Sequence, residues 1–289
     1  MVWMGPLLVV LGAFLWGISG GLGGFLIDKG WEPLLAAFYR GATGFAFVLV
    51  WLLSQPRKNL PMDRYSFAWS LLGGVGVAGN LAFYLLSIPR VGVAVAVTLM
   101  YMAPIYVYLV AFLTGVERST WPRWLAIGLA MLGIVLLTDV FATGLADLDL
   151  LGILSGLLSG LCYALFILVF KRAAARGGQP QGIMTVSLLV FALAMVPFVS
   201  YQEVTAATFS PDVVWFVLTG LLGAGIAFPV YFIGLRATSP AIAAVIAMIE
   251  PITASLMGVW LLGESLTPLQ LSGVVLILIP VTLLSTRRI

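Results

Sequence analysis

The sequence predicts an all-α integral membrane protein with ten transmembrane helices, arranged as two inverted five-helix repeats. Three observations lead there: near-continuous hydrophobicity, a one-sided distribution of basic residues, and an internal repeat at a spacing of 147 positions.

Of the 289 residues, 62% are hydrophobic and 9% charged, and the mean hydropathy is +1.15. A soluble domain has about 45–50% apolar and about 25% charged residues, so water is not the solvent of this chain. Its apolar windows reach about 18 residues or more, enough to cross a hydrocarbon core of about 30 Å at about 1.5 Å per residue. Helices satisfy their own backbone in lipid. Runs such as LLVVLGAFLW do not alternate, as the strands of a membrane barrel do. Breaking the chain at polar, Gly and Pro clusters gives spans at 5–27, 33–54, 64–88, 91–115, 119–139, 149–173, 181–201, 212–235, 238–262 and 267–286. The first span lacks a basic leader and is followed by more of its kind, so it reads as a retained helix and not as a signal peptide.

With the N-terminus placed in the cytoplasm, the loops and ends on that side hold Arg57, Lys58, Arg64, Arg118, Arg123, Lys171, Arg172, Arg176, Arg236, Arg287 and Arg288. The other side keeps Lys29 and Arg90, among Asp28, Glu32, Asp139, Asp147, Asp149, Glu203, Asp212 and Glu264. Lys and Arg concentrate on the cytoplasmic side of membrane proteins, so both termini are expected there.

Sliding the chain by 147 positions superposes its halves without a gap: Gly5 on Gly152, Pro33 on Pro180, Gly73 on Gly220, Gly76 on Gly223, Tyr84 on Tyr231, Pro104 on Pro251, Glu117 on Glu264 and Thr120 on Thr267. The expected repeats are residues 1–142 and 148–289. Five crossings per half force the second to enter the membrane upside down, an architecture of transporters with the site near the midplane between halves.

Other classes lose support. A single cysteine, Cys162, allows no intrachain disulfide, and the absence of histidine removes the commonest metal ligand. No phosphate-binding loop, dinucleotide fingerprint or zinc-protease motif is present. No metal, cofactor or nucleic-acid partner is implied. The expected partners are the lipid bilayer and a small-molecule substrate, and the oligomeric state is open.

The segment AAVIAMIEPITASLMGVWLLGESLT (Ala243 to Thr267), its echo VAVTLMYMAPIYVYLVAFLTGVERST (Val95 to Thr120) and the duplicated ten-span layout resemble the EamA-type branch of the drug/metabolite transporter superfamily. Tyr101, three residues before Pro104, and the chain length look similar to bacterial exporters of aromatic and other amino acids. The resemblance implies ten helices around a central cavity that opens alternately to either side of a bacterial inner membrane. The first half departs from symmetry, with Ala103 at the position matching Glu250.

Glu250 is the most informative residue, because a carboxylate about 15 Å deep by helix rise is costly and usually functional. It either carries protons or contacts a substrate amine, or else it is a structural acid bonded to backbone freed by Pro251 or paired with Arg40. Arg40, seven residues after Pro33, is close enough to the outer surface to snorkel. Pro104 and Pro251 interrupt the helix ladder and are candidate hinges, or static bends. Trp16, Tyr163, Tyr101 and Met248 fall near mid-depth and are candidate cavity walls, against ordinary packing. Asn80 is a candidate for substrate carboxylate or amide, or an interhelical bond, and shares a face with Gly76 and Tyr84. Tyr84 and Tyr231, near opposite ends of equivalent spans, are candidate gates or interfacial anchors. Gly17, Gly20, Gly21 and Gly24, like Gly152, Gly156 and Gly160, permit close helix contact.

The reading is a transporter of small metabolites, amino acids first. Its rivals are an exporter of other amphipathic drugs or metabolites, an intramembrane enzyme, which generally needs paired acids, His or a Ser with a base where Glu250 is the only clearly intramembrane acid, and a receptor or scaffold, which does not require inverted halves.

Overall fold

The computed structural model describes residues 4–54, 63–143 and 149–286. Arg57, Lys58, Asp147, Arg287 and Arg288, used above to assign sides, lie outside the described residues, as do the expected repeat limits at 1, 148 and 289.

Most of the described chain is helical: α1 (Met4–Asp28), α2 (Pro33–Ser54), α3 (Arg64–Met100), α4 (Ala103–Leu113), α5 (Trp121–Leu137), α6 (Leu150–Ala175), α7 (Pro180–Met195), α8 (Tyr201–Thr208), α9 (Val213–Gly220), α10 (Ala227–Ala237), α11 (Pro240–Ile246), α12 (Ile249–Leu262) and α13 (Pro268–Thr286). A π-helical turn, Leu221–Ile226, joins α9 to α10. No strand occurs among the described residues. Among the described residues, eight stretches are long and apolar enough to cross a membrane, and α5 is a shorter apolar helix.

One of the eight, Arg64–Leu113, has 50 residues and as a straight helix would measure about 75 Å, more than twice the membrane core. It folds back instead. Along α6 the partners of its first arm run in reverse, with Phe170 against Gly73, Ser159 against Asn80 and Gly152 against Ser87 and Arg90. Those of the second arm run forward, with Gly156 against Leu99 and Gly160 against Met100 and Tyr106. The chain reverses at Gly92, whose φ of 79° and ψ of 161° are accessible to glycine and strained for other residues.

The duplication read from the sequence is also present in space. Gly5 packs on Ala237 and Thr238, and Gly152 packs on Arg90 and Val91. Gly223 meets Ser19, and Gly76 meets Phe166. Gly234 approaches the Gly5 carbonyl, and the Ser87 hydroxyl donates to the Gly152 carbonyl at 2.8 Å. In each pair, adding 147 to one partner and subtracting it from the other converts the first contact into the second.

Basic groups gather at one end of the bundle. There Lys171 donates to the carbonyls of Leu235, Arg236 and Thr238, Arg236 to that of Gly178, and Arg123 to Glu117, which also accepts from Ser239. Arg64 and Arg176 lie over the Tyr65 ring and Arg172 over Trp69. At the other end Lys29 and Trp31 donate to Asp212, Tyr39 donates to the Val204 carbonyl, and Arg90 pairs with Asp149 at 3.4 Å. Hydrogen bonds from Lys29 and Trp31 hold the Asp212 carboxyl below the usual range. α8, absent from the expected spans, is nucleated by a capping box in which Ser200 and Glu203 satisfy each other's backbone N–H groups.

Candidate functional site

The fourth span of each half is interrupted at the same repeat position. Proline has no N–H and its ring clashes with the carbonyl four residues earlier, so Pro104 and Pro251 cannot continue a helix arriving from Met100 and Ala247. In the first half α3 ends at Met100, two residues turn, and α4 begins at Ala103. In the second half α11 ends at Ile246 and α12 begins at Ile249, with Glu250 N donating to the Ala247 carbonyl at 3.0 Å. Both prolines therefore sit in the first turn of the helix that follows, where they are tolerated, and each expected bend is a two-residue interruption whose backbone stays close to helical angles.

The two breaks meet. Glu250, in the first turn of α12, accepts from the Tyr163 hydroxyl of α6 at 3.2 Å and from the Tyr101 hydroxyl at the break of the first half. Arg40 on α2 is the cation coupled electrostatically to Glu250. Tyr84 and Tyr231 are also within electrostatic reach of that carboxylate. The sequence thus names the members of this cluster, but helix rise alone left Arg40 free to snorkel outward, whereas its side chain turns inward. The π-helical turn is what admits it: Gly223 presses on Ser19 and on Nε of Arg40, where a β-carbon would clash. π-bulges of this kind recur at functional sites. The aligned Gly76 and Gly223 were a signal of close approach, but not of what would approach.

The aromatic candidates form the wall of the cluster. Trp16 is 2% exposed, and its ring centroid lies 4.7 Å from Tyr231, 4.9 Å from Phe228 and 6.4 Å from Tyr163. Tyr101 and Tyr163 are 6.1 Å apart. Met248 is fully buried at the break itself. Among the described residues, neither Trp16 Nε1 nor the Tyr231 hydroxyl has a hydrogen-bond partner. The sequence did not single out Phe166 and Phe228, which close the ring cluster. Gly17 brings α1 against Thr253 and the Glu250 carbonyl.

Asn80 is hydrogen-bonded between helices. Its amide donates to the Ser159 carbonyl at 3.2 Å and hydroxyl at 3.1 Å, and Ser159 returns a bond of 2.8 Å to the Asn80 carbonyl. It joins α3 to α6. Cys162 packs against Gly79 as a small apolar side chain does.

Chemically, the site opposes one carboxylate to one guanidinium inside an apolar bundle and ringed by phenols. Isolated charge is costly there. Such an arrangement can pair with a solute that carries matching opposite charges, or hold a titrating proton on Glu250 beside Arg40.

The sequence model of the EamA-like transporter family matches residues 3–139 and again 150–286. An uncharacterized transporter of Archaeoglobus fulgidus is 30% identical, with 96% of this chain and 97% of the relative covered. The threonine/homoserine exporter RhtA of Escherichia coli K12 is 28% identical, with 93% and 87% covered. A crystal structure 17% identical covers 96% of both chains with a TM-score of 0.77, which shows the shared fold. The family and these named relatives are transporters, not enzymes.

Proposed function

This chain belongs to the EamA-like transporter family of the drug/metabolite transporter superfamily, and on that premise we propose that it exports small metabolites, amino acids first, across a bacterial cell inner membrane by alternating access. The observation that supports the substrate class is the electrostatic proximity of Glu250 and Arg40 beside the interruptions at α3–α4 and α11–α12. A zwitterion offers an ammonium to the first and a carboxylate to the second. The N-termini of α4 and α12 add positive helix ends for a carboxylate. Trp16, Tyr101, Tyr163, Tyr231 and Met248 provide the surface for the side chain of the substrate, and the unpartnered Trp16 and Tyr231 donors are free for its polar atoms. The 28% identity to a threonine/homoserine exporter supports the same class.

Ten crossings follow if the two arms of Arg64–Leu113 count separately and α5 spans the membrane, and the halves 1–142 and 148–289 are then inverted repeats around a central cavity. The basic end is cytoplasmic in this reading, with both termini there. Pro104 and Pro251 mark the hinges, and Tyr84 faces the cluster from the mouth opposite to that of Tyr231.

The test is uptake into proteoliposomes of labelled threonine, phenylalanine, lysine, uridine and glucose, with and without a pH gradient. Saturable uptake of neutral amino acids over the uncharged solutes is expected. Folded protein that moves uridine or glucose and no amino acid would overturn the substrate class.

A further inference from the structure

The aligned acids Glu117 and Glu264 are in opposite situations. Glu117 is buried, its side chain only 5% exposed. Its Oε1 accepts from the Ala241 backbone N–H at 3.1 Å, and its Oε2 from the Ser239 hydroxyl at 3.2 Å and Arg123 Nη1 at 2.8 Å. An acid of the first half thus holds the start of α11 in the second. Lys171 holds the other side of the same turn through the carbonyls of Leu235, Arg236 and Thr238. That turn is shut, with Thr238 and Ala241 each 3% exposed.

Repeat symmetry maps this contact onto Glu264 reaching Gly92 and Ala94 at the Gly92 turn, at the opposite end of the bundle. The mapped contact is absent. Glu264 is exposed, its carboxylate has no hydrogen bond or ion pair among the described residues, and it folds back beside Gly258. Gly92 and Val93 are exposed, Val93 by 56%, and Ala94 is half-buried. The aligned tyrosines follow the same asymmetry: Tyr231 is fully buried, while its mate Tyr84 is partly exposed.

We propose that Glu117 and Glu264 are alternating latches, each closing one mouth by binding the first turn of the opposite half's fourth span. The proposal rests on alternating access as read above. In an inverted repeat the two halves exchange conformations when the site changes sides, so release of Ala241 by Glu117 accompanies capture of the Ala94 backbone N–H by Glu264. The structure shows the state with the basic end latched. Arg123 reinforces that latch, whereas its repeat mate is the uncharged Gln270, so the basic end is the mouth favoured shut.

The test uses single-cysteine reporters at the equivalent positions Ala94 and Ala241, in a Cys162→Ser background, in nanodiscs that expose both faces to a soluble maleimide. The reading is the ratio of labelling rates at the two positions. Glu117→Ala is expected to raise labelling at 241 and lower it at 94, shifting the ratio roughly tenfold. Glu264→Ala is expected to shift it the other way. Ser239→Ala, which removes one donor to Glu117, moves the ratio as Glu117→Ala does and serves if that variant fails to fold. Increased labelling at 241 with none lost at 94 would mean local fraying and overturn the proposal, as would shifts of equal sign in the two acid variants. The readout needs no substrate, so failure of the amino-acid assignment leaves it standing.

Discussion

The Tyr163 hydroxyl lies 3.2 Å from Oε2 of Glu250, a bond between α6 and the first turn of α12 that fixes the carboxylate where the broken helices meet. Removing that donor in Tyr163→Phe keeps the ring and its packing. A hydrogen bond to a charged group contributes about 1.5–3 kcal/mol, so the expected loss of substrate affinity is roughly ten- to a hundredfold. Transport kinetics on variant protein that remains folded check it.

Glu250→Gln keeps an acceptor for both tyrosines and removes the charge that faces Arg40. If Glu250 also exchanges protons, pH-driven transport collapses while solute exchange at equal pH persists. If it only binds the substrate ammonium, both fall together, by about 2 kcal/mol or more in affinity. Parallel assays in the two modes separate these outcomes.

Gly223→Ala places a β-carbon against Ser19 and Arg40. Overpacking of this kind costs about 1–3 kcal/mol, and thermal unfolding in detergent is expected to show a lower midpoint. Gly24→Ala is the control. Its β-carbon meets open space, and alanine is the better helix former by about 1 kcal/mol.

The Asp212 carboxyl is held below its usual range by Lys29 and Trp31. A group whose pKa is depressed in the folded state contributes stability above its unfolded pKa and loses it as the pH falls through the folded value. Asp212→Asn is therefore expected to melt below the wild type at pH 7, with the gap closing below about pH 4. Melting curves at pH 7 and pH 3 measure it.

The spans and the duplication were legible because hydropathy and repeat spacing are written along the chain: Pro33 and Pro180 each open a helix in the structure. The direction of Arg40 was not legible, since helix rotation is set by packing at distant positions such as Gly223 and Ser19. Pro104 and Pro251 announced a disturbance of the ladder but not that the two interruptions would face each other through Tyr101 and Glu250. α8 did have a local signal: Ser200 followed three residues later by Glu203 is a capping box, overlooked in a segment of low hydrophobicity. Asn80 had a polar amide at the right depth, yet its partner Ser159 lies 79 positions away.

Equilibrium binding of radiolabelled threonine to the purified protein tests the central claim, that Glu250 and Arg40 together hold a zwitterionic substrate. Saturable binding is expected for the wild type and for the surface control Asp28→Asn, and binding at least roughly tenfold weaker for Glu250→Gln and Arg40→Gln. Wild-type affinity in both site variants, with melting temperatures unchanged, would contradict it.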